Sequence, residues 1–258
     1  HNDPYTRIDT GFLRSLHYMM LSYDLSKKPG QWRPGFVYVV HEPTGDTVYE
    51  GPDAEFVPAL MEELVAQINE GSTLSPLIRG AMAHLNLTMI HPFGDGNGRM
   101  ARALQTLVLA KDGVISPVFC SIEEWLGRNT LEYYDILAKT GQGQWNPLHD
   151  ALPWVRFCLR AHYQQAATII KRNEEIGRVW QRISKLAADL DLPERGEFAL
   201  VDAAFGFRVR NSKYRQENDL SEVVAGRDLR RLCDADLLVP VGEKRGRYYV
   251  ASTSLAAI

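Results

Sequence analysis

The 258-residue sequence predicts a mainly α-helical fold, with a β-hairpin set in near its start and a small winged helix-turn-helix domain at its end. Three observations carry that expectation. Apolar residues recur at helical spacing over most of the chain. Residues 36–40 and 47–49 break the pattern with β-branched and aromatic side chains around the turn Pro43-Thr44-Gly45-Asp46. Residues 193–258 place two helical segments ahead of two short strands.

The elements follow in order. Leu13, Leu16 and Met20 share a face of a helix over 11–25, and Leu60, Leu64 and Ile68 share one over 57–69, with the hairpin between them. A third helix opens at Ser75, a residue able to cap it, with Pro76 in its first turn; Ile78, Ala81, Leu85 and Met89 form its buried stripe. A fourth runs from Asn97 to Lys111 and stops at Gly113. Residues 122–190 return to helices without catalytic spacing. In the tail, helical segments cover 198–205 and 221–238, and strands within 238–251 flank a turn rich in Gly and charge.

Composition excludes several classes. The net charge of −3 argues against a general nucleic-acid binder or a polybasic membrane anchor. Residues 171–258 hold 16 Lys and Arg against 14 Asp and Glu, so the tail is basic only relative to the body. No apolar stretch approaches the roughly 20 residues that span a bilayer. The polar N-terminus lacks a signal core, so a cytoplasmic location is expected; the chain opens on His1 rather than Met, which leaves room for residues upstream. Cys120, Cys158 and Cys233 are an odd, dispersed set, expected to be reduced thiols rather than a disulfide framework or a zinc site.

The chemistry is concentrated in residues 91–102, HPFGDGNGRMAR, a loop that leads into the N-terminus of the fourth helix. Three glycines, Gly94, Gly96 and Gly98, would each cost a helix interior roughly 1 kcal/mol. In a loop they permit positive φ and let backbone N–H groups converge on an anion at the positive end of a helix. Asn97 offers an amide donor without negative charge, and Arg99 and Arg102 lie on adjacent positions of the helix, a pairing suited to a polyphosphate. Asp95 would be repelled by phosphate unless a cation bridged them, and Mg²⁺ needs no more than one protein carboxylate there. His91 stands at the loop entrance with a pKa suited to accepting a proton from a hydroxyl. Phe93 is expected to anchor the loop in the core. The alternative is a Gly-rich helix start with solvated arginines, which leaves the Asp95 and triple-glycine placement unexplained.

This run resembles the signature of the Fic family, H-P-F-x-[DE]-G-N-G-R-x-x-R, and meets it at every specified position. The resemblance extends over about residues 10–170, through PGQWR before the hairpin, PLIRGAMAHLNLTMIHPF into the motif, and the pair Tyr133-Tyr134. It implies a helical Fic core with a β-hairpin flap and Mg²⁺-dependent transfer of AMP from ATP to a Ser, Thr or Tyr hydroxyl of a target protein. His91 would be the general base, and Asp95 would hold the Mg²⁺ between the α- and β-phosphates. Gly96, Asn97 and Gly98 would cradle those phosphates, Arg99 would orient the β/γ end, and Arg102 would bind the γ-phosphate. The flap at 36–50 would align the target segment by strand addition, with Val48, Tyr49 and Tyr134 near the nucleotide. The implied organisation is a catalytic domain at 1–172, a connecting helix at 173–192 and the winged-helix-like domain at 193–258. A homodimer is a further expectation.

Two departures from the family pattern stand out. No Glu followed by Gly or Asn has Ser or Thr four positions earlier, because Glu50, Glu70 and Glu217 follow Asp46, Ala66 and Lys213, so the regulatory [ST]-x-x-x-E-[GN] segment is not found. Gly141 stands where some relatives carry an adenine-contacting Asn. The alternatives are removal of AMP from a modified protein, transfer of another phosphate-containing moiety, or a nucleotide-responsive transcription regulator. DNA contact would use Arg227, Arg230, Arg231, Lys244, Arg245 and Arg247. The interleaved Asp228, Asp234 and Asp236 lower the local potential, so a protein contact is favoured over DNA.

Overall fold

Asp9 opens the first helix, α1 (Thr10–Leu21), by accepting the N–H of Phe12 at 2.7 Å. In the computed structural model, which describes residues 7–40, 45, 47–113, 121–243 and 246–258, α1 buries Leu13, His17 and Leu21 as one stripe. It stops four residues short of the expected end. The Asp24 carboxylate takes both the N–H and the hydroxyl of Ser26, folding Leu25–Lys27 into a 3-10 turn that closes on Lys28 at φ 49°.

The hairpin strands are β1 (Tyr38–Val40) and β2 (Thr47–Glu50), paired Tyr38↔Glu50, Val39↔Tyr49 and Val40↔Thr47 with a register shift between Val39 and Val40. Pro43, Thr44 and Asp46 of the expected turn lie outside the described residues. The far edge of β2 is covered. The Glu50 N–H donates to Gly143 O at 3.0 Å, and Glu50 O accepts from Trp145 N–H at 2.9 Å. Among the described residues, β1 therefore carries the open edge of the hairpin.

Helix α2 (Val57–Asn69) buries Val57, Met61, Leu64, Val65 and Ile68. Helices α3 (Pro76–Ile90) and α4 (Asn97–Lys111) form the centre of the unit. Ser75 sits at the start of α3, but its hydroxyl makes no capping bond; its carbonyl accepts from Ile78 and Arg79 instead. Small residues let α3 and α4 approach closely: a Cβ on Gly80 would lie 3.3 Å from Gln105 O. Leu87, Phe93, Met100 and Leu104 are fully buried on one side of the pair, each contributing roughly 1.5–3 kcal/mol by burial. On the other side pack α5 (Glu123–Arg128), α6 (Thr130–Gly141) and the start of α7 (Leu152–Asp189), around Tyr133, Trp154 and Phe157. The indole N–H of Trp154 donates to Ala81 O at 2.7 Å.

Two compact units result, His1–Thr168 and Ile169–Ile258. Residues 173–189 belong to the same helix as 152–172, so no separate connecting helix exists there. In the second unit, α8 (Glu197–Ala204), α9 (Asn211–Glu217) and α10 (Glu222–Asp234) precede β3 (Leu238–Val241), β4 (Tyr248–Ala251) and α11 (Thr253–Ala256). Val209 bridges Tyr249 on β4, and Leu200, Leu229 and Leu232 fill the core. Asp228 is buried, held by Arg195 Nε at 2.7 Å and near the Tyr214 hydroxyl at 3.4 Å, so its charge does not reach the exposed face of α10. Lys244 and Arg245 lie outside the described residues, as does Cys120. Cys158 and Cys233 are free thiols, and burial pushes both upward in pKa. Among the described residues no helix is long and apolar enough to cross a membrane.

A polar chain is buried beside Trp154. His84 Nδ1 lies 2.7 Å from Gln105 Oε1 and Nε2 lies 3.0 Å from the Tyr133 hydroxyl, while Gln105 Nε2 lies 3.0 Å from His162 Nε2. Burial lowers both histidines from 6.5 to about 4. The unfolded chain therefore binds more protons between those values, and the stability held by the neutral rings is present above pH 6.5 and lost as pH falls toward 4. We expect a loss of about 2 kcal/mol per histidine by pH 5. Thermal melts at pH 7 and pH 5 check this, and a His162→Gln variant should lose less on acidification than the unmodified chain.

Candidate active site

His91 ends α3 in the left-handed region, at φ 50° and ψ 57°, where L-residues other than Asn, Asp and Gly are rarely comfortable. Arg33, itself buried, holds it there. Its Nε donates to His91 O at 2.8 Å, its Nη1 to Gly35 O at 2.5 Å, and its Nη2 to Pro52 O and to Ile90 O, while its backbone N–H donates to Pro92 O at 2.9 Å. The same guanidinium thus ties the base of the hairpin to the end of α3. His91 Nδ1 lies 3.2 Å from Thr88 O. A carbonyl can only accept, so Nδ1 carries the proton and Nε2 keeps its lone pair. Burial, with a smaller push from Arg33, holds the His91 pKa below 6.5 against the Thr88 bond. At neutral pH the ring is a free base.

The next residues are locked from beneath. Phe93 is fully buried and stacks on His17, ring centres 3.7 Å apart. His17 Nδ1 accepts the Gly30 N–H at 2.8 Å, so its Nε2–H donates to Asp95 O at 2.9 Å. The Asn97 side chain closes on the backbone of Phe93, accepting from its N–H and donating to its carbonyl, both at 2.9 Å. One N–H and the oxygen of the amide expected to meet an anion are therefore spent on the loop, which leaves Asn97 its second amide N–H and its backbone N–H. Of the three glycines only Gly96 takes positive φ, +81°, and a Cβ on it would lie 3.1 Å from Leu21 Cδ1.

The N–H groups of Asn97, Gly98 and Arg99 precede the first i→i−4 bond of α4, from Met100 N to Gly96 O at 2.9 Å. N–H groups so placed at a helix N-terminus can meet an anion. Asp95 stands at its edge. Its Oδ1 accepts the Gly96 N–H at 2.5 Å and pairs with Arg99 Nη2 at 3.4 Å, and its Oδ2 pairs with Lys27 Nζ at 2.6 Å. Lys27 leads the set of neighbours that hold this carboxyl below the usual range. Arg102 donates from Nε to Glu123 Oε1 at 2.7 Å, and its Nη1 lies 3.4 Å from where a Cβ on Gly98 would sit. Arg99 Nη1 reaches the Tyr23 hydroxyl at 3.5 Å.

Among the described residues no cluster of three or more His, Cys, Asp or Glu is built to cage a metal. A lone carboxylate suits Mg²⁺, which takes its other ligands from phosphates and water. Asp95 fits that role once Lys27 gives way to the ion.

The structure thus brings His91, Asp95, the α4 N-terminus, Arg99 and Arg102 together. It also adds Lys27 and Glu123, which no local pattern in the sequence marked, while Arg33 lies in the PGQWR segment quoted for the resemblance. Tyr134 is 60% exposed, whereas its neighbour Tyr133 is buried. Val48 is half-buried, and the buried Tyr49 donates its hydroxyl to Met89 O at 2.8 Å. Tyr49, Met89 and Gly141 line a cavity of about 460 Å³ that no residue of 91–102 borders. Gly141 has a packing reason: a Cβ there would lie 3.0 Å from the Tyr49 ring, so no Asn fits without displacing it.

Residues 7–109 match the Fic/DOC family. The protein adenylyltransferase fic-1 of Caenorhabditis elegans is 36% identical over 105 residues, covering 40% of this chain and 18% of the relative. The protein adenylyltransferase Fic of Drosophila yakuba is 34% identical over 144 residues, covering 55% of this chain and 25% of the relative. The chain thus spans no more than a quarter of the length of either relative. A Fic family protein from Desulfovibrio desulfuricans G20 superposes with a TM-score of 0.58 at 22% identity, covering 98% of this chain and 71% of that one, a likeness of fold.

Proposed function

Because the chain carries a Fic/DOC family domain over residues 7–109, we propose that it is a protein adenylyltransferase, moving AMP from ATP to a Ser, Thr or Tyr hydroxyl of a target protein. One observation carries this reading most directly. His91, its Nδ1 tied to Thr88 O, begins the loop that ends at the α4 N-terminus, where N–H groups, Asp95, Arg99 and Arg102 would form the anion site.

In this reaction His91 Nε2 takes the proton of the target hydroxyl as its oxygen attacks the α-phosphorus. The bond from that phosphorus to the bridging oxygen breaks, pyrophosphate leaves, and His91 holds the proton. The N–H groups of Asn97, Gly98 and Arg99, together with the Arg99 and Arg102 guanidiniums, take up charge on the phosphates. Asp95 would hold Mg²⁺, which neutralises the polyphosphate when bound. The target segment lies along β1, whose open edge displays Phe36, Tyr38 and Val40, 68%, 53% and 49% exposed. Strand addition there would use main-chain bonds for affinity and apolar pockets for choice of sequence.

We read the second unit as a winged helix-turn-helix used for protein contact. Lys213 pairs with Asp202, Arg215 with Glu222 and Arg231 with Asp191, so part of its positive charge is already neutralised.

Incubation with Mg²⁺ and ATP labelled at either the α- or the γ-phosphate tests the reaction. Label from the α-position should remain on protein; retention of γ-label would instead make the chain a kinase and sink the proposal. Arg102→Ala should weaken ATP binding about 10- to 100-fold, the worth of a hydrogen bond to a charged group, and leave AMP binding unchanged.

A further inference from the structure

We propose that Lys27 is the resident counter-ion of Asp95, an ammonium held where the metal would bind and displaced when metal and polyphosphate arrive together. The inference rests on the reading of Asp95 as the carboxylate that holds Mg²⁺.

Many ion pairs at a protein surface contribute little, because two flexible side chains must be ordered in solvent to make them. This pair is set up by the backbone. The Asp24 carboxylate takes the N–H and the hydroxyl of Ser26, and the Lys28 N–H donates to Leu25 O at 3.1 Å, so Leu25–Lys27 is a closed turn. Just beyond it Gly30 is fastened to α1. Its carbonyl accepts from Arg14 Nε at 2.7 Å, and its N–H donates to His17 Nδ1 at 2.8 Å. The fully buried His17 then donates from Nε2 to Asp95 O at 2.9 Å. One imidazole thus ties the segment after Lys27 to the peptide of the very residue that Lys27 meets. Across that tie Lys27 Nζ lies 2.6 Å from Asp95 Oδ2.

Charge decides what the pair does. Lys27 stands at Oδ2, while Oδ1 accepts the Gly96 N–H and pairs with Arg99 Nη2 at 3.4 Å. Two cations face one carboxylate, so a free divalent ion meets a site whose negative charge is already balanced. A metal and an ammonium sharing Oδ2 would also repel each other at contact distance. A polyphosphate changes this balance, because its oxygens serve both Mg²⁺ and the released ammonium. The ammonium can leave. The Lys27 and Asp95 side chains are 34% and 39% exposed, and the centre of the Tyr23 ring lies 5.8 Å from Nζ, within cation–π range. Until the metal comes, Lys27 shields incoming phosphates from a carboxylate that would repel them.

The test is equilibrium binding of ATP, once with Mg²⁺ and once with EDTA, to the unmodified chain and to Lys27→Gln, Asp95→Asn and the double variant. The measured quantity is the ratio of the two affinities, which cancels the charge that Mg²⁺ removes from ATP in solution. The unmodified chain should bind ATP more tightly with Mg²⁺. Lys27→Gln should widen that ratio by about threefold, the worth of an exposed ion pair, chiefly by weakening ATP binding in EDTA. Asp95→Asn should narrow the ratio, and adding Lys27→Gln to it should change nothing further. If the unmodified chain shows no preference for Mg²⁺, or Asp95→Asn keeps that preference whole, the metal reading of Asp95 falls, and this inference with it. If the preference depends on Asp95 but Lys27→Gln leaves the ratio intact, or weakens ATP equally in both conditions, the counter-ion role alone is overturned.

Discussion

Replacement of His91 by Ala is expected to lower transfer of α-phosphate label to protein by roughly 10²- to 10⁴-fold, the usual worth of a positioned general base. The loss should fall on the chemical step. In the proposed reaction anion binding falls to the α4 N–H groups and the arginines, so ATP affinity should change little. The pH dependence offers a second signature. Burial holds the His91 pKa below 6.5, so the unmodified chain should gain rate as pH rises through that lower value and level off by neutrality, a limb absent from His91→Ala. Retention of more than a tenth of the transfer by the variant would remove His91 from the base role.

What was readable in the sequence is what is local in the chain. His91, Asp95, the helix N-terminus, Arg99 and Arg102 lie within residues 91–102, and α4 follows the expected bounds from Asn97 to Lys111. Their mutual geometry needs only one loop and one helix. Lys27 and Glu123 come from other elements, and no periodicity links a residue on one element to its partner on another. Lys27 reads as an ordinary charge on a turn until α1 packs beneath the loop and sets it 2.6 Å from Asp95. Glu123 likewise meets Arg102 across 21 positions, so the last motif arginine is engaged although the family's regulatory segment was not found.

Burial adds roles that composition does not show. Asn97 reads as a ligand donor, and Phe93 four positions earlier also takes half of its side-chain amide in a backbone pair that holds the loop. Asp228 reads as a surface charge, but it lies on the inner face of α10, where Arg195 neutralises it.

Arg33→Ala is expected to be among the most destabilising single changes in the first unit, by on the order of 3 kcal/mol or more. The residue is nearly fully buried, and its side chain donates to the carbonyls of Gly35, Pro52, Ile90 and His91. Each buried carbonyl left without a donor costs about 1–3 kcal/mol, and relaxation around the cavity recovers only part of that. Arg33→Lys should recover little, because an ammonium on a flexible stem cannot span acceptors on the hairpin base and on the α3 terminus at once. The two ends of the network predict different readouts. Loss of the bonds to Gly35 and Pro52 frees the hairpin, which should raise the KM for a protein target. Loss of the bond to His91 O releases the left-handed φ of 50° that directs the imidazole, which should lower kcat. Urea unfolding and steady-state kinetics on both variants separate these effects. If Arg33→Lys unfolds at the same urea concentration as the unmodified chain, the fork geometry is not what holds His91, and the pinning role assigned to Arg33 is wrong.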